Sequence, residues 1–243
     1  MSDSSPNPYT PVARSVESVR ARMAAAARRA GRLPEDVRLV AVSKNVPPEA
    51  VLAAVRVGVQ DFGENYFQEA RGKIPLVSAQ TDVPICWHMI GHLQSNKAKY
   101  SVSLFSFIHS VDNLGLAQEI GKQSVKIGKE QAILIEVNLT GADNRAGVSP
   151  DRALALAEAT ARTPGLRLCG LMGMAPQTAE PDLARPYFRQ LRTLFDQLSP
   201  EHRSILSMGM SADFEAAIEE GSTLVRVGTA IFGTRQGPPQ QPS

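Results

Sequence analysis

Arg38-Leu39-Val40-Ala41-Val42-Ser43-Lys44, followed by Asn45, Val46 and the breaker pair Pro47-Pro48, is the stretch from which the rest of the chain can be read. Its β-branched residues, with no charge between Arg38 and Lys44, predict a strand covered on both faces, as in a parallel sheet. Counting in twos places Val40, Val42 and Lys44 on one face. A lysine at the inner rim of a sheet is partly desolvated, which favours the neutral, nucleophilic amine that forms Schiff bases. The same spacing suits a lysine that snorkels from a strand end to water. The segment alone leaves both readings open.

Outward from this first strand, taken as 39–43, strand-like runs recur at 60–63, 86–91, 105–110, 132–138, 166–172, 205–208 and 224–228. Between them, helices are expected to start near Pro47, Asn65, Gln94, Asn113, Ser149, Pro181 and Ser211. Ser149-Pro150 places a capping side chain before a first-turn proline, and Asp112-Asn113 and Ser211 offer further caps. Such alternation predicts an α/β protein with a parallel sheet. Eight units in this length fit a closed (β/α)8 TIM barrel better than an open doubly wound sheet. No full helix follows the last strand, so the early helix at 13–30, with Val16, Val19, Met23 and Ala27 on one side, is expected to fill that place in the outer ring. The organisation expected is a disordered N-terminus (1–10), one barrel domain (11–235) and a disordered tail, QGPPQQPS (236–243).

The 243 residues are 43% hydrophobic and 21% charged, enough for a sizeable core. Lys and Arg total 26 against 24 acidic residues, a net charge of +2, which gives no electrostatic case for nucleic acid or an anionic membrane. The arginines Arg20, Arg22, Arg28, Arg29 and Arg32 read as the wet side of the early helix. Cys86 and Cys169 read as small buried residues in strands rather than a disulfide or metal pair. No apolar run is long enough to span a bilayer and the first residues do not read as a signal peptide, so a cytoplasmic location is expected.

In such barrels the site lies at the carboxyl ends of the strands. There the chain offers Lys44, then Glu64-Asn65-Tyr66, His88-Met89-Ile90-Gly91-His92, Met172-Gly173-Met174, Ser207-Met208-Gly209-Met210-Ser211 and Arg226-Val227-Gly228-Thr229. The glycines and hydroxyls after strands seven and eight have the chemistry of a phosphate cradle, though also of ordinary strand-to-helix turns. Arg226 shares a face with Leu224 and Gly228, and an inward arginine stays charged and needs an acceptor. That acceptor is a carboxylate on another strand or, beside a Schiff-base lysine and a phosphate cradle, a pyridine nitrogen. The latter combination makes a pyridoxal phosphate pocket. His88 and His92 form an HxxxH pair, but on a strand the four-residue step is about 13 Å, too long for one metal ion.

AVSKNVP, FGENYFQEA, WHMIGHLQSNK, GLMGM, LSMGMSADFEAAIEEGST and VRVGTAIFG together resemble the pyridoxal phosphate homeostasis proteins, from about Leu39 to Gly233. The resemblance implies a barrel similar to the N-terminal domain of bacterial alanine racemase (fold type III). It implies that Lys44 forms the aldimine with pyridoxal 5'-phosphate and that Arg226 faces the pyridine nitrogen. Ser207, Gly228 and Thr229 would serve the phosphate, Asn65 would lie near the ring, and Met172 and His92 would wall it. Some members carry a second lysine where this chain has Val46, and a lysine after strand five is replaced here by Arg145. Arginine keeps the charge but does not readily form a Schiff base. The expected function is a non-catalytic protein that buffers and delivers the cofactor. Its partners would be that small molecule and, transiently, apo enzymes, and it would act as a monomer. The alternative is a weak racemase on the same lysine, for which only Tyr66 among the tyrosines lies near the proposed mouth. A class I aldolase would share the lysine but leave Arg226 without a cofactor role.

Overall fold

The computed structural model describes residues 10–142, 144–176 and 180–234. The disorder expected at 1–10 and 236–243 concerns positions outside the described residues, except Thr10, which opens the first helix. The strands β1 (Arg38–Val42), β2 (Asp61–Glu64), β3 (Cys86–Met89), β4 (Phe107–Val111), β5 (Gln131–Val137), β6 (Leu166–Gly173), β7 (Ile205–Ser207) and β8 (Leu224–Val227) pair in that order, and β8 closes on β1. Every pairing is parallel, and the closing seam sets Val40 beside Arg226 and Ala41 beside Val227. The alternation read from the sequence is therefore a (β/α)8 barrel.

The helices are α1 (Thr10–Arg29), α2 (Pro48–Arg56), α3 (Phe67–Ser78), α4 (Ala98–Leu104), α5 (Leu114–Lys126), α6 (Pro150–Ala161), α7 (Arg185–Asp196), α8 (Phe214–Glu219) and α9 (Thr229–Phe232). The capping expected at Asn113 is present, its Oδ1 accepting from Leu116 N at 2.8 Å. As expected, α1 fills the outer ring, packing against α2, α8 and α9. It buries Val12, Val16, Val19, Met23, Ala26 and Ala27. Its arginines, and Arg32 just beyond it, are not simply a wet face. Arg20 donates to the carbonyls of Val57 (2.7 Å) and Gly58 (2.6 Å), and Arg32 to those of Ile218 (3.1 Å) and Ser222 (2.7 Å). Arg22 and Arg29 pair with Glu215 and Glu219 on α8. The carbonyls at the ends of α2 and α8 lack intrahelical partners, and a guanidinium fork supplies them.

Two apolar layers flank the sheet. The outer one, between strands and helices, holds Ala41, Phe62, Trp87, Ile108, Ile133, Ile135, Leu171 and Val225. The inner one is small: Val40, Ala132, Leu134, Cys169, Met172, Ile205 and Leu224. The rest of the interior is polar, with His88, His109 and Ser207 fully buried and Arg226 4% exposed. At β6 the register against β5 shifts between Ile133 and Leu134, where Gly170 adopts φ +146° and a Cβ would stand 1.9 Å from the Ile205 carbonyl. Cys169 is buried as expected, whereas Cys86 is half-buried at the amino-terminal end of β3.

Candidate functional site

The four strand exits β7, β8, β1 and β2 are neighbours around the ring, so their loops meet at one mouth. Strand β1 ends at Val42, so Lys44, expected to close the strand, is instead a half-buried residue of the turn that follows it. Val46 N donates to Ser43 O at 3.0 Å across that turn, and Asn45 takes φ +55°. A buried clamp fixes both residues that flank Lys44. Lys73 on α3 donates to the Ser43 carbonyl (2.5 Å), to Glu64 Oε1 (2.9 Å) and to Glu69 Oε1 (2.5 Å). The Ser43 hydroxyl donates to Glu64 Oε1 at 2.6 Å, and Asn45 N to Glu69 Oε1 at 2.6 Å. Burial pushes the Glu64 carboxyl up, and the Lys73 charge opposes it.

Deeper in the barrel, Arg226 donates to Ser207 Oγ (2.5 Å) and to the Gly173 carbonyl (3.1 Å). Burial draws its pKa down to about 10 against the pull of Glu136 and Asp213. Glu136, Met172 and Ser207 stand at one level on β5, β6 and β7. Glu136 is 3% exposed, and burial together with the Asp112 charge raises it to about 7, Arg226 opposing. The Ser207 hydroxyl points into the barrel, between Arg226 and His109 (3.3 Å). The hydroxyl at the loop cradle belongs instead to Ser211, whose oxygen accepts from Gly228 N (3.1 Å) and Ala230 N (3.3 Å).

Gly228 is buried at that cradle and Thr229 is exposed beside it. Asn65, half-buried at the β2 exit, has a side-chain oxygen that is buried with no hydrogen-bond partner among the described residues. The chain leaving β3 passes close by, and a Cβ at Gly91 would lie 2.2 Å from the Asn65 carbonyl oxygen. Met172 is buried inside the barrel, whereas His92 is exposed and Arg145 lies exposed in the loop after β5. Lys44, Asn65, Gly228 and Thr229 thus lie on the turns that leave β1, β2 and β8, while Ser207 ends β7 and Arg226 lies within β8.

Sequence reasoning missed the Lys73 clamp, Glu136 and His109. Glu136 and His109 each sit in a strand with inward parity, a signal that was present. The clamp depends on α3 lying over β1 and β2, which no local pattern reveals. At the opposite end, ligand atoms of Asp61, Cys86 and His88 lie within 4.8 Å of one another, although Arg38 already neutralises Asp61 at 2.5 Å.

Residues 15–236 match the family model described as alanine racemase, N-terminal domain. A pyridoxal phosphate homeostasis protein of Aquifex aeolicus is 43% identical over 218 residues, 88% of this chain and 94% of that one. This chain belongs to that family. Another pyridoxal phosphate homeostasis protein, from Pseudomonas aeruginosa, is 44% identical over 224 residues, 92% of this chain and 96% of its own length. Among solved structures of similar proteins, PipY of Synechococcus elongatus with pyridoxal phosphate bound superposes with a TM-score of 0.78 at 34% identity, over 91% of this chain and 100% of that one.

Proposed function

We propose that this protein binds pyridoxal phosphate at the carboxyl mouth of the barrel, and that it buffers and hands on the cofactor rather than turning over a substrate. The observation that carries this reading is the convergence, on four adjacent strand exits, of an amine, a fixed guanidinium and a hydroxyl-lined backbone cradle. The residues present fit the group. Two backbone N–H groups converge on one oxygen position at Ser211, a geometry suited to a phosphate oxygen. The Asn65 side-chain oxygen, buried with no hydrogen-bond partner among the described residues, is an acceptor still to be satisfied. The guanidinium of Arg226 donates to Ser207 and Gly173, the last residues of β7 and β6, which fixes it near the mouth ends of those strands.

When bound, the cofactor supplies an aldehyde that condenses reversibly with a primary amine. Lys44 would provide that amine, on a turn whose flanking residues are locked by Lys73. Gly228, Thr229 and Ser211 would hold the phosphate, Asn65 would lie beside the ring, and Arg226 would donate to the pyridine nitrogen. An arginine there keeps its own proton and leaves the ring nitrogen an acceptor, so the ring is a poor electron sink for turnover. The relatives named homeostasis proteins support the same role. We place this work in the cytoplasm, by a monomer that meets apo enzymes transiently.

The test mixes loaded protein with an apo pyridoxal phosphate enzyme and, separately, with L- and D-alanine. The expected result is recovery of the apo enzyme faster than spontaneous release allows, with negligible racemisation. Racemisation at about 1 s⁻¹ or faster, abolished by Lys44→Ala, would establish the racemase instead.

A further inference from the structure

A chain of polar side chains crosses the barrel interior from the mouth to the opposite end. Arg226 donates to Ser207 Oγ at 2.5 Å, and Ser207 Oγ lies 3.3 Å from His109 Nδ1. His109 Nε2 lies 2.9 Å from His88 Nδ1, and His88 Nε2 lies 2.9 Å from Asp61 Oδ1. Arg38, at the amino-terminal end of β1, pairs with the same Asp61 oxygen at 2.5 Å.

The protons in this chain run one way. A guanidinium has only donors, so the Ser207 oxygen accepts from Arg226 and its own proton goes to His109 Nδ1. His109 then carries its proton on Nε2 and donates to His88 Nδ1, and His88 carries its proton on Nε2 and donates to Asp61. Both imidazoles are neutral in this assignment, and every contact has one donor and one acceptor. The electrostatics agree. Burial lowers His88, with Asp61 opposing, and burial together with the Arg226 charge holds His109 well below the usual range. Burial would raise Asp61, but the hydrogen bond from His88 and the Arg38 charge bring it below its usual value.

We propose that Ser207, His109, His88 and Asp61 are positioning residues for Arg226. By presenting the serine oxygen as an acceptor, they fix the guanidinium against the ring of the cofactor and anchor it to a carboxylate at the far end of the barrel. This rests on the reading of the mouth as a pyridoxal phosphate site. The chain therefore couples the two ends of the barrel, although only Arg226 would touch the cofactor.

The experiment has two arms. The first records ¹⁵N chemical shifts of the imidazoles in cofactor-free protein at pH 7, where His88 and His109 should both be neutral with the proton on Nε2. A charged imidazole, or a proton on Nδ1 of His109, would overturn the chain whatever the cofactor does. The second arm loads His109→Leu, His109→Gln and Asp61→Ala with pyridoxal phosphate. His109→Leu removes the relay and should weaken retention by about ten-fold or more, the usual worth of a buried hydrogen bond to a charged group. His109→Gln keeps an acceptor and a donor and should recover most of it. Asp61→Ala, at the far end, should shift the absorption of the bound cofactor. Wild-type affinity and spectrum in both His109→Leu and Asp61→Ala, with borohydride still trapping the cofactor on Lys44, would refute the positioning role while leaving the cofactor site intact. Should His109→Leu not fold, Asp61→Ala and the imidazole shifts decide.

Discussion

At the scale of single residues, the turn that carries Lys44 is held by a buried ammonium shared between two carboxylates and a carbonyl. Removing one partner of such a group leaves an uncompensated charge, while removing both sides is far cheaper. Lys73→Met should therefore cost about 3–5 kcal/mol of stability, and Lys73→Met combined with Glu64→Met should recover most of that loss. Urea denaturation of the two variants checks this, and simple additivity would contradict the clamp. That Lys44, Asn65, Gly228 and Thr229 follow strand exits, and that Arg226 lies in the last strand, was legible from strand periodicity. Lys73 was not, because its carboxylate partners come from β2 and from one turn earlier on its own helix, and the burial that makes the pairing matter is tertiary.

At the scale of elements, β6 depends on a residue without a side chain. Gly170 lies where the register slips against β5, and any Cβ there meets the Ile205 carbonyl. Gly170→Ala should destabilise the protein by about 3 kcal/mol or more, through the clash and the backbone conformation together. A loss below 1 kcal/mol (about, on the scale of ordinary surface changes) would mean that β6 can relax. The arginines of α1, with Arg32 just beyond it, make a second prediction. Arg32→Ala removes donors from two carbonyls at the end of α8 and should cost about 1–2 kcal/mol, whereas Arg28→Ala should be nearly neutral. The helix itself was legible from its apolar spacing. The use of its arginines was not, since it depends on the carbonyl ends of α2 and α8 lying within reach.

At the scale of the whole molecule, the barrel encloses titratable groups that move in opposite directions. His88 and His109 are depressed, so as pH falls below about 6.5 the unfolded chain takes up protons that the folded one does not, and stability is lost by up to about 1.4 kcal/mol per pH unit for each group. Glu136, raised to about 7, keeps its proton in the fold while the unfolded chain loses it, so stability falls as pH rises from about 4.5 to about 7. Glu136→Gln should therefore stabilise the cofactor-free protein at pH 8, by up to about 3 kcal/mol, and change little at pH 4. Equal effects at both values would contradict the raised carboxyl. Strand periodicity made the barrel legible, because β-branched runs of even spacing report burial on both faces. It could show that polar residues share the inward parity, but not which of them pair. The contact of His88 with His109 exists only once β3 and β4 lie side by side, and that of His109 with Ser207 only once the sheet has curled round on itself.

The central claim is that this barrel carries pyridoxal phosphate on Lys44. Borohydride reduction of the loaded protein, followed by peptide mass mapping, tests it most directly. The account predicts one phosphopyridoxyl adduct, on Lys44, absent in Lys44→Ala. An adduct mainly on Lys73, Lys97 or Lys99, or one that survives in Lys44→Ala, would contradict it.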